Sequence, residues 1–306
     1  MPLGTLRDPD LAALLRALRS DRSQGRDAPE VTAEWSQALR DRLDDNLAAT
    51  GSVGRGEAVP SSDLDVIRLG PGSTPRFDAL LAAGVPGDAN GVRPTGGVLA
   101  VTAEQWREDA ARWMARPDQD LAVVRLGLLA DACDPTDTAP VHLAAAEGFS
   151  SSPMLADMLR DAVSTCPPRL TGLWRKNSVD LKAEVLTPVV KIARWAALAS
   201  GSSELSTPAR LAAADARYLD PSTARDLQVA FTDALSLRVD LDLDVVDDRV
   251  FQRFGRITVT ALPPDAARRL RAATTTVRHT VRTLRYLLST STFSVDTPPD
   301  AGDGGR

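Results

Sequence analysis

Residues 51–67 read GSVGRGEAVPSSDLDVI, and this stretch decides how the rest of the chain is interpreted. Asp63 and Asp65 stand two positions apart, directly before the apolar residues of a predicted strand. Because successive side chains of a strand point to opposite faces, both carboxylates project from the same side. Two carboxylates this close repel each other, and a divalent cation removes the repulsion. Hard cations such as Mg²⁺ bind carboxylate oxygens together with substrate phosphates.

The turn at the start of the stretch adds a second element to this pattern. Gly51 and Ser52 offer backbone N–H groups that a phosphate can approach without obstruction by a side chain. Together with the acidic pair, they predict a site for metal-assisted phosphoryl or nucleotidyl transfer. In the plainer interpretation, Ser62 and Asp63 only cap a turn before the strand. The full string, with Gly-Ser, Arg-Gly-Glu and the two acids at this spacing, favours the site.

The same residues resemble the nucleotidyltransferase superfamily that includes DNA polymerase β, the minimal nucleotidyltransferases and the uridylyltransferase of the PII signal protein. Two further segments resemble one bacterial subfamily, whose members are often found behind CBS or cyclic-nucleotide-binding domains. The first is GGVLAVTAEQWREDAARW at 96–113. The second is VDLKAEVLTPVVKIARWAALASG at 179–201, which is similar to the opening of the subfamily's C-terminal substrate-binding domain.

This resemblance implies a reaction and a set of ligands. It implies transfer of an NMP group from an NTP, such as ATP or UTP, to a hydroxyl of a regulatory protein or small-molecule acceptor, with a role in signal transduction. Asp63 and Asp65 would be the ligands of Mg²⁺ or Mn²⁺, and Gly51 and Ser52 would hold the phosphates.

Two basic residues, Arg55 and Lys182, each have two alternative roles. Arg55 could neutralise phosphate charge, or it could pair with Glu57 and brace the turn. Lys182, in a segment that matches the C-terminal domain, could reach the triphosphate across an interdomain cleft. Alternatively, it is a solvated charge at the start of a helix.

The superfamily normally uses a third carboxylate on a neighbouring strand. The expected strand, at 96–102, contains no acid, and Asp131 and Asp88 are the only nearby candidates. This departure supports one alternative, a nucleotide-binding regulatory module with little or no catalysis. An antitoxin-like minimal nucleotidyltransferase that modifies or sequesters a partner is a further alternative. Neither His142 nor His279 fits a catalytic motif, and both are predicted to be structural.

Composition limits the class of protein. The chain has 306 residues, of which 43% are hydrophobic and 25% charged, as in soluble globular proteins of one large or two ordinary domains. A net charge of -5 argues against broad nucleic-acid binding but allows a local positive site for a nucleotide.

The two cysteines indicate the cellular compartment. Cys133 and Cys166 lack metal-ligand spacing and fit a reducing cytosol. The chain shows neither a signal-peptide pattern nor an 18-residue apolar run, so we expect a cytoplasmic protein without a membrane partner.

The predicted fold is α+β, with a small mixed-sheet nucleotidyltransferase domain followed by an all-helical bundle. The predicted domains are N-terminal helices packing on the catalytic domain at 1–50, the nucleotidyltransferase domain at 51–148, the helical substrate-binding domain at 149–293 and a disordered tail at 294–306.

Periodicity and capping residues predict the individual elements. Thr32 and Thr187 are the expected N-caps of two helices, and 119–133 is expected to be a buried helix or strand. The predicted helices lie at about 8–20, 32–47, 77–83, 102–113, 188–200, 207–215, 221–238, 243–254 and 263–289, with strands at about 64–69 and 98–101.

Overall fold

The structure is a computed structural model that describes residues 6–87, 102–119, 121–134, 140–170, 178–243, 251–252 and 256–290. Its first half contains the helices α1 (Pro9–Ser23), α2 (Ala28–Arg40), α3 (Gly51–Gly54), α4 (Pro75–Ala82), α5 (Ala103–Ala115) and α6 (Ala122–Ala130). Its second half contains the helices α7 (Met154–Ala162), α8 (Thr187–Ala199), α9 (Thr207–Ala212), α10 (Pro221–Asp242) and α11 (Pro264–Ser289). The strands are β1 (Leu47–Ala49), β2 (Val66–Arg68), β3 (Ser178–Asp180), β4 (Phe251–Gln252) and β5 (Arg256–Thr258).

Local capping signals explain where several helices begin. The side chain of Asp8 accepts hydrogen bonds from the backbone N–H groups of Asp10 and Leu11, and Pro9 occupies the first position of α1. At α5, Thr102 and Gln105 form a capping box in which each side chain bonds the other residue's backbone N–H. The predicted starts of both helices are therefore confirmed.

The strands β1 and β2 place the two halves of the sequence motif side by side. They are antiparallel, with Ala49 opposite Val66, so the end of β1 meets the start of β2. The backbone N–H of Thr50 donates to the carbonyl of Asp65 at 2.9 Å and extends this pairing. Consequently, the turn that begins at Gly51 lies beside the acidic pair, although the two are more than ten residues apart in sequence.

The second half of the chain packs helices around α8, in which ten of the 13 residues are buried. Trp195 lies fully buried within α8, and its indole N–H donates to the carbonyl of Leu155 at 3.0 Å, which ties α8 to α7. A three-stranded antiparallel sheet in the order β3-β5-β4 accompanies these helices. The α+β class is confirmed, and this small sheet is an addition that the predicted all-helical bundle lacked.

Three local predictions were wrong. The second helix begins at Ala28 after Asp27, so Thr32 lies inside it and donates its hydroxyl to the carbonyl of Pro29. That helix ends at Arg40, well before Leu47, which belongs to β1. Thr187 has helical backbone angles because a π-helical turn at Leu181–Leu186 runs directly into α8.

The end of the chain departs from the prediction at one further point. Part of the helix predicted at 243–254 is replaced by the short strand Phe251–Gln252, which pairs with β5, while 244–250 lies outside the described residues. The strand predicted at 98–101 and the tail at 294–306 also lie outside the described residues. Among the helices that the structure describes, none is both long enough and apolar enough to cross a membrane.

Candidate active site

Asp63 and Asp65 line one wall of a cleft of about 220 Å³. Between them, Leu64 is fully buried and forms a parallel bridge with Gly87, whereas both aspartates are partly exposed. This alternation of exposure is the one expected for extended backbone, and it turns both carboxylates toward the cleft. The side chain of Asp63 is 45% exposed, so an ion or a phosphate can reach it from solvent.

The Gly51 turn fits tightly against Asp65. Gly51 has a φ of +60°, and a Cβ at this position would lie 2.7 Å from Oδ2 of Asp65. Only glycine satisfies both conditions, because other residues are strained at this φ and their Cβ would collide with the carboxylate. Ser52 follows in the same turn and also lines the cleft.

The facing wall comes from the second half of the chain. Lys182 extends from the π-helical turn at Leu181–Leu186, and its Nζ lies 3.7 Å from Oδ2 of Asp63. Asp180 caps this turn by accepting a hydrogen bond from the backbone N–H of Ala183 at 2.8 Å. Lys182 therefore pairs with an aspartate across the cleft rather than with its neighbour Asp180. The remaining lining residues of this wall are Leu186, Thr187, Val190, Lys191, Arg194, Phe231, Leu235 and Arg238.

Arg238 is a cleft residue that the sequence prediction missed. Burial lowers the pKa of Arg238, and the nearby carboxylates of Asp242, Asp180 and Asp63 partly offset this effect. The available signal was a single basic residue within the leucine-rich segment LSLRVDL of α10. That signal is weak, because long basic side chains often cover apolar surface with their stems.

Comparison with known families agrees with this geometry. Residues 33–124, which supply Gly51 and the acidic pair, match the family model described as "Nucleotidyltransferase domain". The chain contains a nucleotidyltransferase domain. Residues 152–287, which supply Lys182, match the family model described as "Putative nucleotidyltransferase substrate binding domain". The resemblance inferred from the motifs is thereby confirmed, while no curated protein matches the chain.

Arg55 of the nucleotidyltransferase domain lines the cleft, and two carboxylates bind its guanidinium. Its Nε donates to Glu57 at 2.7 Å, and its Nη1 donates to Asp131. Burial disfavours the charged guanidinium, yet Asp131 and Glu57 outweigh burial and hold the pKa of Arg55 above its ordinary value. Of the two roles considered for Arg55, these contacts favour bracing of the turn.

Asp131, one of two candidates for the third carboxylate, lies in a buried ion cluster. Its side chain is 1% exposed, and besides Arg55 it accepts hydrogen bonds from Arg194 and Arg210. Burial alone would raise the pKa of Asp131, but the three arginines hold it well below its usual range. Its oxygens are therefore committed to arginines and do not line the cleft. Asp88 lies outside the described residues.

The donor set of the cleft fits a hard divalent cation. Two carboxylates of accessible residues face the same space, and Mg²⁺ is commonly held by one or two carboxylates plus substrate phosphates. Within the described ranges, no group of three or more His, Cys, Asp or Glu side chains could hold a metal ion. A bound nucleotide would add phosphate oxygens as further ligands of such a cation.

Proposed function

We propose that the protein is a metal-dependent nucleotidyltransferase that moves an NMP group from an NTP to a hydroxyl of a protein or small-molecule acceptor. The observation that carries this proposal is the composition of the cleft. Asp63, Asp65 and the Gly51 turn lie on one wall, and the other wall carries cationic side chains among apolar ones. An anionic triphosphate with a divalent cation complements both walls, because the cation suits the acids and the phosphates suit the basic residues.

Asp63 and Asp65 are the residues that would hold Mg²⁺ or Mn²⁺. Such a cation, when bound, supplies charge neutralisation on the phosphates and orientation of the acceptor oxygen. Two contacts within the chain position Asp65 before a ligand binds. Gly51 lets the carboxylate of Asp65 pack against the turn, and the pairing of Thr50 with Asp65 fixes that strand end.

The phosphates have donors on both walls. Gly51 and Ser52 would hold the β- and γ-phosphates through backbone N–H groups and the serine hydroxyl. Lys182 is 58% exposed and pairs loosely with Asp63, so it can move from the aspartate to a phosphate oxygen at small cost. Arg238 adds positive charge deeper in the same wall.

The proposed transfer step is a substitution at the α-phosphorus of the NTP. The acceptor oxygen forms a bond to the α-phosphorus, the bond from that phosphorus to the β-phosphate bridging oxygen breaks, and pyrophosphate leaves. The hydroxyl proton passes to solvent, to which the half-exposed Asp63 side of the cleft is open. The apolar residues Leu186, Val190 and Leu235 give the acceptor or the nucleobase a surface beside the charged groups.

Transfer from labelled nucleotide tests the proposal. The protein would be incubated with Mg²⁺ and each α-³²P NTP, with candidate acceptor fractions, and release of pyrophosphate would be followed in parallel. Activity is expected in the wild type and in Asp226→Asn, which changes an exposed acid of α10 outside the cleft. Activity is expected to be lost in Asp63→Asn and Asp65→Asn. Equal activity in all four proteins would remove the enzymatic assignment.

One observation favours a second function, that of a nucleotide-binding module with little turnover. Asp131, a candidate for the third carboxylate, binds Arg55, Arg194 and Arg210 instead of lining the cleft. Such a module predicts stabilisation by Mg²⁺ and NTP without pyrophosphate release. A ligand at a hundredfold excess over its dissociation constant stabilises the folded state by about 2.7 kcal/mol, which a urea titration detects. Stabilisation without turnover would favour the module over the enzyme.

A further inference from the structure

The helix α11 has a charge opposite to that of the chain as a whole. It carries six arginines and a single acidic residue, Asp265, whereas the chain has a net charge of -5. Some of these arginines have structural partners. Arg285 donates to the carbonyls of Val163 and Ser164, and Arg278 donates to the carbonyl of Pro167 at 2.7 Å. Three of the six arginines, Arg278, Arg282 and Arg285, lie in the second half of α11, where Arg278 and Arg285 contact the segment that follows α7.

A surface groove of about 580 Å³ lies at this junction, separate from the cleft of Asp63 and Asp65. Cationic, hydroxyl-bearing and aromatic side chains dominate its lining, and among the described residues that line it there is no aspartate or glutamate. The groove is lined by Pro168, Arg169, Leu170, Thr275, Arg278, His279, Arg282, Thr283 and Tyr286.

The lining residues from α11 follow a helical face. Thr275, Arg278, Arg282 and Tyr286 recur at intervals of three or four positions, so they lie one above another along the groove. Arg278 and Arg282 are like charges at i and i+4, which repel each other unless an anion lies between them. Arg169 and Arg282 are exposed, and within the described ranges neither has a carboxylate partner.

The aromatic residue Tyr286 indicates which class of anion the groove could bind. Tyr286 is 68% exposed at the end of the groove, next to Arg282, which lies one helical turn before it. A cationic groove that tracks phosphates, combined with an exposed aromatic ring on which a base can stack, is the arrangement that binds single-stranded nucleic acids. From Thr275 to Tyr286 the helix rises about 16 Å, which exceeds the length of a mononucleotide.

We infer that this groove binds single-stranded nucleic acid, with Arg169, Arg278 and Arg282 on phosphates and Tyr286 stacked on a base. The site goes beyond the proposed transfer reaction and does not depend on it. The overall negative charge argued against broad nucleic-acid binding, and the inference is consistent with that, because the positive charge is confined to one groove. Binding is accordingly expected to be local and sensitive to salt.

Fluorescence anisotropy with the full chain tests the inference. The probe is a fluorescein-labelled single-stranded RNA of mixed sequence and about 12 nucleotides, within the range of known site sizes. Tyr286→Ala is expected to weaken binding by about 5- to 100-fold, as loss of one stacked base does. Arg282→Gln is expected to weaken binding and to reduce the slope of log K against log salt by about 0.7 between about 50 and 200 mM salt.

Matched controls separate the groove from general charge. Arg268→Gln removes the same charge from an exposed position of α11 outside the groove and is expected to bind like the wild type. Tyr286→Ala is expected to retain affinity for inorganic polyphosphate, which has no base to stack. Asp63→Asn is expected to bind RNA normally, so that failure of the transfer reaction and failure of this site can be told apart. Circular dichroism would confirm that each variant is folded.

Several results would overturn the inference. One is absence of RNA binding by the wild type at a protein concentration of about 10⁻⁴ M and low salt, the weak limit of non-specific affinity. Another is equal weakening in Arg268→Gln and Arg282→Gln, which would show general electrostatic attraction. A third is tighter binding of a duplex or of a phosphopeptide than of the single strand.

Discussion

At the scale of the residue, the cleft depends on a contact that allows no side chain at Gly51. Its φ of +60° is unfavourable for other residues, and a Cβ there would lie 2.7 Å from the carboxylate of Asp65. The two requirements are separable, because Gly201 has a similar φ of +69°, yet a Cβ at Gly201 would meet no heavy atom within 4 Å. A comparison of the two glycines therefore isolates the contact with Asp65.

We predict that Gly51→Ala and Gly201→Ala each lower the free energy of unfolding by about 1–2 kcal/mol, the cost of a left-handed backbone without glycine. Only Gly51→Ala is expected to lower the affinity for Mn²⁺ with nucleotide as well, because the methyl group displaces the Asp65 carboxylate. Urea denaturation measures the first effect, and paramagnetic Mn²⁺ titration measures the second. Normal Mn²⁺ affinity in Gly51→Ala would contradict this role.

Lys182 provides a second prediction at this scale. Lys182→Gln is expected to raise the dissociation constant for Mg²⁺ and NTP about three- to tenfold, an effect of about 1 kcal/mol for a partly exposed charge. Its melting temperature without ligand should be unchanged, because the pair with Asp63 is exposed. Calorimetric titration measures the affinity. Lys182→Arg, which keeps the charge, should recover most of the loss, and a Lys182→Gln protein with wild-type affinity would place the phosphates elsewhere.

At the scale of the element, Asp131 holds several helices together behind the cleft. It follows α6 and accepts hydrogen bonds from Arg55 after α3, Arg194 of α8 and Arg210 of α9. Arg210 is nearly as buried as Asp131, and burial lowers its pKa while Asp131 opposes the decrease. Gly127 leaves room for Arg194, whose Nη1 would lie 2.9 Å from a Cβ at that position.

We predict that Asp131→Asn lowers the free energy of unfolding by about 3–5 kcal/mol, because Arg194 and Arg210 then remain largely buried without this carboxylate and Arg55 keeps only Glu57. Asp157→Asn removes a charge from the Asp157–Arg160 pair on the surface of α7 and should cost less than about 0.5 kcal/mol. Urea denaturation of both variants gives the comparison. A small effect of Asp131→Asn would mean that the cluster does not stabilise the fold.

The same cluster predicts a pH dependence. The pKa of Asp131 is lower in the folded state than in the unfolded chain, so its stabilising effect is complete above the unfolded pKa of about 3.9. That contribution is lost progressively as the pH falls below this value. Wild-type stability between about pH 5 and pH 3 should therefore decrease more steeply than that of Asp131→Asn. Equal slopes in urea titrations across this range would contradict the assignment.

The contrast between the cleft motif and this cluster shows what sequence alone can predict here. Asp63 and Asp65 were predictable because extended backbone fixes their relative direction, and the capping box of α5 because its partners are three residues apart. The partners of Asp131 are 63–79 residues away in sequence, and no local pattern joins them. Thr187 was misassigned as a cap because an irregular π-helical turn precedes α8, and periodicity does not reveal such turns.

At the scale of the whole molecule, hydrogen bonds between the two segments that match family models, 33–124 and 152–287, hold the walls of the cleft together. Glu57 accepts a hydrogen bond from the backbone N–H of Thr207 at 2.5 Å, and Asp242 accepts one from Ser61 at 2.7 Å. Near the rim, Lys182 reaches Asp63 by a looser contact of 3.7 Å. The firm contacts flank the acidic motif and hold the walls together, while the looser one leaves the mouth of the cleft able to admit a ligand.

The proposed nucleotide and metal site can be tested by a co-crystal structure with Mg²⁺ and an NTP analogue that resists cleavage between the α- and β-phosphates. We expect the triphosphate in the cleft, with the cation on Asp63 and Asp65, phosphates at Gly51 and Ser52, and Lys182 turned from Asp63 to a phosphate oxygen. A nucleotide bound elsewhere, or bound in the cleft with the cation away from both aspartates, would contradict it.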